Sequence, residues 1–168
     1  MKECPRSFRT ISVAFACLQA WFGYCIGAAM NTPINDPGLN ASRATHFERL
    51  GGNTAVERLV DAFYRQMDSR PEARDIRAMH HHDLSSTKAA LVLYLCEWLG
   101  GPKAYSEQRG HPRLRIRHAA FSIGTAERDA WLACMRAALD ETGTEAALRD
   151  HLMQAFYKTA DWMRNTDE

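Results

Sequence analysis

The chain has 168 residues, 46% of them apolar and 24% charged, a globular composition with room for one ordinary domain and an extension. A formal net charge of +1 leaves no global case for nucleic acid or an acidic partner. The five cysteines are odd in number and form no CxxC, which argues against a disulfide framework and fits a reducing, cytoplasmic setting.

Residues 1–44 differ from the rest. Lys2, Arg6 and Arg9 precede an apolar run from Ile11 to Met30, a positive segment followed by a hydrophobic one. Three readings stay open: a secretory signal ending near Gly27-Ala28-Ala29, a signal anchor, or an upstream translation with Met30 as the true start. The polar leader from Asn31 to Thr45 then opens a domain over residues 45–168. The first 29 residues are expected to be dispensable for its folding.

From His46 the pattern is helical. Gly51-Gly52 breaks a short first segment, and Asn53 or Thr54 is expected to cap the next helix. Val56, Leu59, Val60, Phe63 and Met67 then share one helix face, with Tyr64 at its edge. A tyrosine there carries its hydroxyl into the fold, where it needs a partner. Pro71 ends this helix and starts a short one through Ile76 and Met79. His80-His81-His82-Asp83 follows as a loop; adjacent residues point in different directions, so a solvated cluster suits it better than zinc.

Ser85 or Ser86 is expected to cap a helix to Trp98 that is apolar almost all round from Ala89 to Cys96, and so buried on more than one side. Cys96, like Cys134 further on, sits in an apolar run and reads as a small buried hydrophobe. Residues 100–113 read as a long glycine-bounded loop of the kind that is usually functional. Beyond it, Thr125 caps a helix carrying Trp131, Cys134, Met135, Ala138 and Leu139 on one face. Gly143 ends that helix, and Thr144 starts a last one striped by Leu148, Leu152, Ala155, Phe156 and Met163. No strand alternation of useful length occurs. The expected fold is all-α, with about five principal helices.

The stretch Arg109 to Gly124 carries the chemistry. Gly110 and Pro112 fix a turn around His111. Arg113, Arg115 and Arg117 alternate with Leu114 and Ile116 up to His118, which is followed by Ala119, Ala120, Phe121 and Ile123. An imidazole with methyl-sized neighbours, an apolar wall and nearby cations meets the needs of a haem: an axial ligand, contact for the macrocycle, and partners for two propionates. A hydrogen-bonded core histidine in a solvated or phosphate-binding basic strand is the competing reading.

Longer motifs add to this. The run Glu107-Gln108-Arg109-Gly110-His111-Pro112-Arg113-Leu114-Arg115-Ile116-Arg117-His118 resembles the signature around the proximal histidine of group II truncated haemoglobins. Phe121-Ser122-Ile123-Gly124, Ala126-Glu127-Arg128-Asp129-Ala130-Trp131-Leu132, Gly51-Gly52, Phe63-Tyr64 and Trp98-Leu99-Gly100-Gly101-Pro102 resemble it too. The similarity runs from about His46 to Arg164. It implies a two-over-two helical sandwich around haem b, with a shortened first helix and a proximal helix mostly replaced by loop. It implies that His118 is the proximal iron ligand, with Tyr64, His80 and Trp131 on the distal side and Thr87 and Leu91 on the buried helix. Arg117 and Phe121 complete the expected cofactor contacts. Thr87 departs from the ligand-gating histidine of larger globins.

Three donors over one face of an iron favour a polarised ligand such as dioxygen. Each hydrogen bond to a charged acceptor is worth about 1.5–3 kcal/mol. Two together slow ligand escape by roughly a hundredfold or more. The expected function is haem-based binding of dioxygen and other diatomic ligands with slow release, or oxygen and nitric oxide chemistry with an unspecified reductase, as monomer or homodimer. The alternative is a haem-dependent peroxidase or detoxifying oxidase using Tyr64 and Trp131. A third class, a basic helical binding module, predicts no visible absorption band and salt-dependent nucleic-acid binding.

Overall fold

The computed structural model describes Ala44–Thr166. The expectations for the N-terminal extension, with Cys4, Cys17 and Cys25, lie outside the described residues. Within them, no helix is long and apolar enough to cross a membrane.

Thr45 starts the first helix through a reciprocal cap: its hydroxyl accepts the Glu48 N–H (3.2 Å), and the Glu48 carboxylate accepts the Thr45 N–H (2.8 Å). Helix α1 (His46–Leu50) stops at Gly51, whose φ of +110° is left-handed. Helix α2 (Gly52–Ser69) restarts at once with Gly51 as its N-cap. Asn53 and Thr54 therefore sit inside the first turn and do not cap it, because one glycine serves both helices and leaves no linker. The Asn53 side chain bonds Glu57 (2.7 Å) and accepts from the Cys96 thiol (3.3 Å).

The apolar stripe of α2 is fully buried, as its spacing predicts. Pro71 opens a 3₁₀ turn (Pro71–Ala73) that runs into α3 (Arg74–Ala78). Helix α4 (Ser85–Trp98) has Leu84 at its N-cap, and Asp83 just before it accepts from the Ser85 N–H (2.9 Å) and hydroxyl (2.6 Å). Ser85 is thus a donor to Asp83, and neither Ser85 nor Ser86 is the cap. The loop after Gly100 is not structureless: it holds α5 (Ala104–Arg109), tied down where Ser106 donates its N–H (2.8 Å) and hydroxyl to Glu97. Gly101 is needed there, since a Cβ would stand 2.8 Å from both the Cys96 carbonyl and the Phe47 ring.

The arginine–aliphatic alternation also proves helical, as α6 (Leu114–His118). Helix α7 (Thr125–Glu141) has Gly124 at its N-cap, one residue before the expected Thr125. Helix α8 (Ala146–Met163) follows Glu145, not Thr144, at its N-cap.

Among the described residues, four long helices stand where about five principal ones are expected. Helix α2 packs on α4 and on α7, and α7 packs on α8, which gives a two-over-two sandwich. Between the pairs lie Leu59, Phe63, Met67, Met135, Leu139, Leu148 and Leu152, all essentially inaccessible. Each such side chain contributes about 1.5–3 kcal/mol by leaving water. Cys96 and Cys134 are buried free thiols, and burial pushes both thiol pKa values up.

One element lacks full cover. Helix α4 is apolar all round, yet only Leu95 and Cys96 are buried within it; Leu91, Val92, Leu93 and Tyr94 are half-covered. The expectation that it is buried on more than one side fails for this run. An apolar helix the protein does not fully cover faces room for something else.

Candidate functional site

His118 is the last residue of α6 and is half-buried. Its Nδ1 lies 2.8 Å from the Leu114 carbonyl. A carbonyl only accepts, so the ring proton sits on Nδ1 and the Nε2 lone pair points elsewhere. Metal-binding histidines need this arrangement, and the second hydrogen bond fixes ring orientation. The neighbours Ala119 and Ala120 are exposed, and Phe121 is 37% exposed.

His80 repeats the arrangement at the end of α3: its Nδ1 is 2.8 Å from the Ile76 carbonyl. Burial above all, with the positive charge of Arg77 behind it, lowers its pKa against the opposing effect of the Ile76 bond. A neutral His80 with its proton on Nδ1 presents Nε2 as an acceptor, so it is not the third donor that the sequence suggests.

Tyr64 is buried, and burial pushes its phenol up to about 12 against the pull of Arg77. It stays a neutral O–H donor. Its ring meets His80 edge-on (5.7 Å) and Phe63 edge-on (5.1 Å). Trp131 on α7 contacts Phe63 (5.3 Å) and Phe156 (5.7 Å). The structure therefore brings Tyr64 and His80 into ring contact and links Trp131 to them through Phe63. Among the described residues, neither the Tyr64 hydroxyl nor the Trp131 indole N–H has a hydrogen-bond acceptor. Thr87 and Leu91, one turn apart on α4, are half-buried.

The basic run divides. Arg117 is exposed and donates to the Pro112 carbonyl (3.0 Å), and Arg115 donates to the Trp162 carbonyl. The guanidinium groups of Arg109 and Arg113 have no acceptor among the described residues. His111 is exposed and accepts the Arg113 N–H (3.2 Å). His81 and His82 are exposed, and no group of three or more metal-ligating side chains occurs among the described residues. His151 is exposed and pairs with His46 (4.8 Å).

Sequence reasoning missed Arg77. Its Nε donates to Asp68 of α2 (2.6 Å), and its other nitrogens donate to the carbonyls of His81 (3.2 Å) and His82 (3.4 Å). One side chain thus pins the turn that carries His80 to the helix that carries Tyr64. No local pattern marks it, because its partners lie on both sides of the turn. Arg77→Met should raise the His80 pKa toward its ordinary value, since a cation is removed and the turn is loosened. A ring-proton NMR titration reads this directly, and an unchanged His80 midpoint would refute it.

The residues fit a haem. His118 and His80 each keep an Nε2 lone pair free, the Tyr64 and Trp131 donors have no acceptor among the described residues, and the apolar run Leu91–Tyr94 on α4 is only half-covered by protein. A two-over-two helical sandwich with these groups defines a globin. The bacterial-like globin family model matches residues 45–165. The chain is 38% identical over 117 residues to the group 2 truncated haemoglobin YjbI of Bacillus subtilis (strain 168), covering 70% of this chain and 86% of that one. It matches the structure of the group II 2-on-2 haemoglobin of Agrobacterium tumefaciens at a TM-score of 0.72 and 43% identity, over 77% of this chain and 100% of the other. It matches the truncated oxygen-avid haemoglobin of Bacillus subtilis at 0.66 and 36%, over 73% and 100%. The chain belongs to the bacterial-like globin family, with group II truncated haemoglobins among its relatives, and is a haem-based binder of diatomic ligands.

Proposed function

We propose that this globin holds haem b on His118 and binds dioxygen with slow release. The observation that carries the reading is the His118 Nδ1 bond to Leu114, which leaves Nε2 free to ligate. Haem, held by His118, would supply an iron that takes a diatomic ligand. Tyr64 and Trp131 then act as neutral donors toward a polarised ligand. His80 orients the Tyr64 ring and offers an acceptor. Leu91 and Phe121 give apolar contact, Thr87 borders the distal side, and Arg117 lies on the proximal helix where a propionate needs a cation. A similar solved structure is described as oxygen-avid, which supports slow release. Oxygen or nitric oxide chemistry would need an electron-donating reductase. With Cys96 and Cys134 as buried free thiols, a reducing, cytoplasmic setting suits the chain.

A second reading, a haem-dependent peroxidase, draws on the aromatic series Tyr64, Phe63, Trp131, Phe156 and Trp98, whose successive rings are 5.1, 5.3, 5.7 and 4.8 Å apart. Tyrosine and tryptophan in that series are oxidisable. The purified full chain should show a Soret band. A colourless chain that binds nucleic acid with strong salt dependence would overturn both haem readings. Steady-state peroxide turnover set against dioxygen release separates the two.

A further inference from the structure

Helix α6 poses a mechanical problem. It has five residues, none of them buried, and Ile116 is 71% exposed. Its N-cap, Arg113, is left-handed at φ +45° and supplies no side-chain cap. A helix this short is not self-sustaining, and burial does not hold it. Yet His118 must be held still to ligate.

The hold comes from the end of α8. The Asn165 N–H donates to the Ile123 carbonyl (2.9 Å), and its Oδ1 accepts the Ile123 N–H (2.9 Å). Its Nδ2 donates to the Phe121 carbonyl (2.8 Å) and reaches that of His118 itself (3.4 Å). Arg115 adds a second tie, bonding the Trp162 carbonyl and lying 5.5 Å from the Trp162 ring centre. We propose that Asn165 is a positioning residue for the proximal histidine: it staples the segment His118–Ile123 to the end of α8 and thereby sets haem retention. This rests on the haem reading above.

The chemistry demands an amide. Only a side chain with two donors and an acceptor can serve the Ile123 N–H and two carbonyls together. Aspartate has the same shape, but it would turn a carboxylate oxygen on the carbonyls of Phe121 and His118. Asparagine and aspartate therefore separate bonding from packing.

The test measures haem transfer from the full-length protein to excess apomyoglobin in wild type, Asn165→Asp and Asn165→Ala. It adds hydrogen exchange of residues 114–123 against 125–141, and the iron–histidine stretching band. We expect about tenfold faster haem loss in both variants, the effect of losing one to two ordinary hydrogen bonds. We also expect faster exchange confined to 114–123 and a shifted stretching band. Unchanged haem loss overturns the proposal. So does exchange that rises equally over 125–141, because Asn165 would then hold the whole fold and not the proximal segment. Full restoration by aspartate would also overturn it. A wild-type chain with no Soret band would sink the haem reading instead, so the two failures are distinguishable.

Discussion

His118→Ala should abolish stable haem uptake, while His111→Ala should leave it intact. The two histidines are seven residues apart in the same basic run, but only His118 has Nδ1 anchored on a helical carbonyl with Nε2 free. The His111 Nδ1 is occupied by the Arg113 N–H, and the ring lies on an exposed turn. Removing a partner that merely supports a metal ligand typically costs about 10–100-fold in affinity. Removing the ligand itself should cost at least about a hundredfold. Haem titration followed at the Soret band, with thermal unfolding as a control for folding, checks this. Equal retention by the two variants would remove His118 from the iron.

Those two histidines also show how far the sequence is legible. His118 stands out because its small and apolar neighbours are adjacent in the chain, and the long motif around it adds to that. The buried stripes of α2 and α7 are legible for the same reason: a helical period is local. Short helices are not. Helices α5 and α6 span only six and five residues, too few for a period to repeat. Nor can an all-apolar run such as Leu91–Tyr94 say whether protein or ligand is to cover it. Arg77 and Asn165 are hidden for another reason. Asn165 meets His118 and Phe121 across 47 and 44 residues, and only the folded chain brings them together. The position of the proton on His80 is local, set by the Ile76 carbonyl one turn back, but the burial that lowers its pKa comes only with the folded chain.

The tautomer of His80 bears on what Trp131 must do. The sequence offers three donors, Tyr64, His80 and Trp131. With its proton on Nδ1, His80 offers an acceptor toward Tyr64, whose ring it meets at 5.7 Å. The Tyr64 hydroxyl makes no hydrogen bond to His80 here, but as a phenol it can accept as well as donate. Trp131 has no such choice: its indole N–H only donates, and no acceptor for it exists among the described residues. A donor that a bound group shuts off from water without an acceptor costs about 1–3 kcal/mol, so a ligand that accepts from it would be held. Trp131→Phe keeps a ring against Phe63 and Phe156, so the packing survives while the N–H is lost. Dioxygen dissociation should speed up by about tenfold or more, the effect of losing roughly 1.4 kcal/mol. Carbon monoxide, which carries less negative charge when bound, should respond less. Stopped-flow dissociation rates for both gases, in wild type and variant, decide the matter. If neither rate moves, Trp131 serves packing alone, and slow release would have to come from Tyr64.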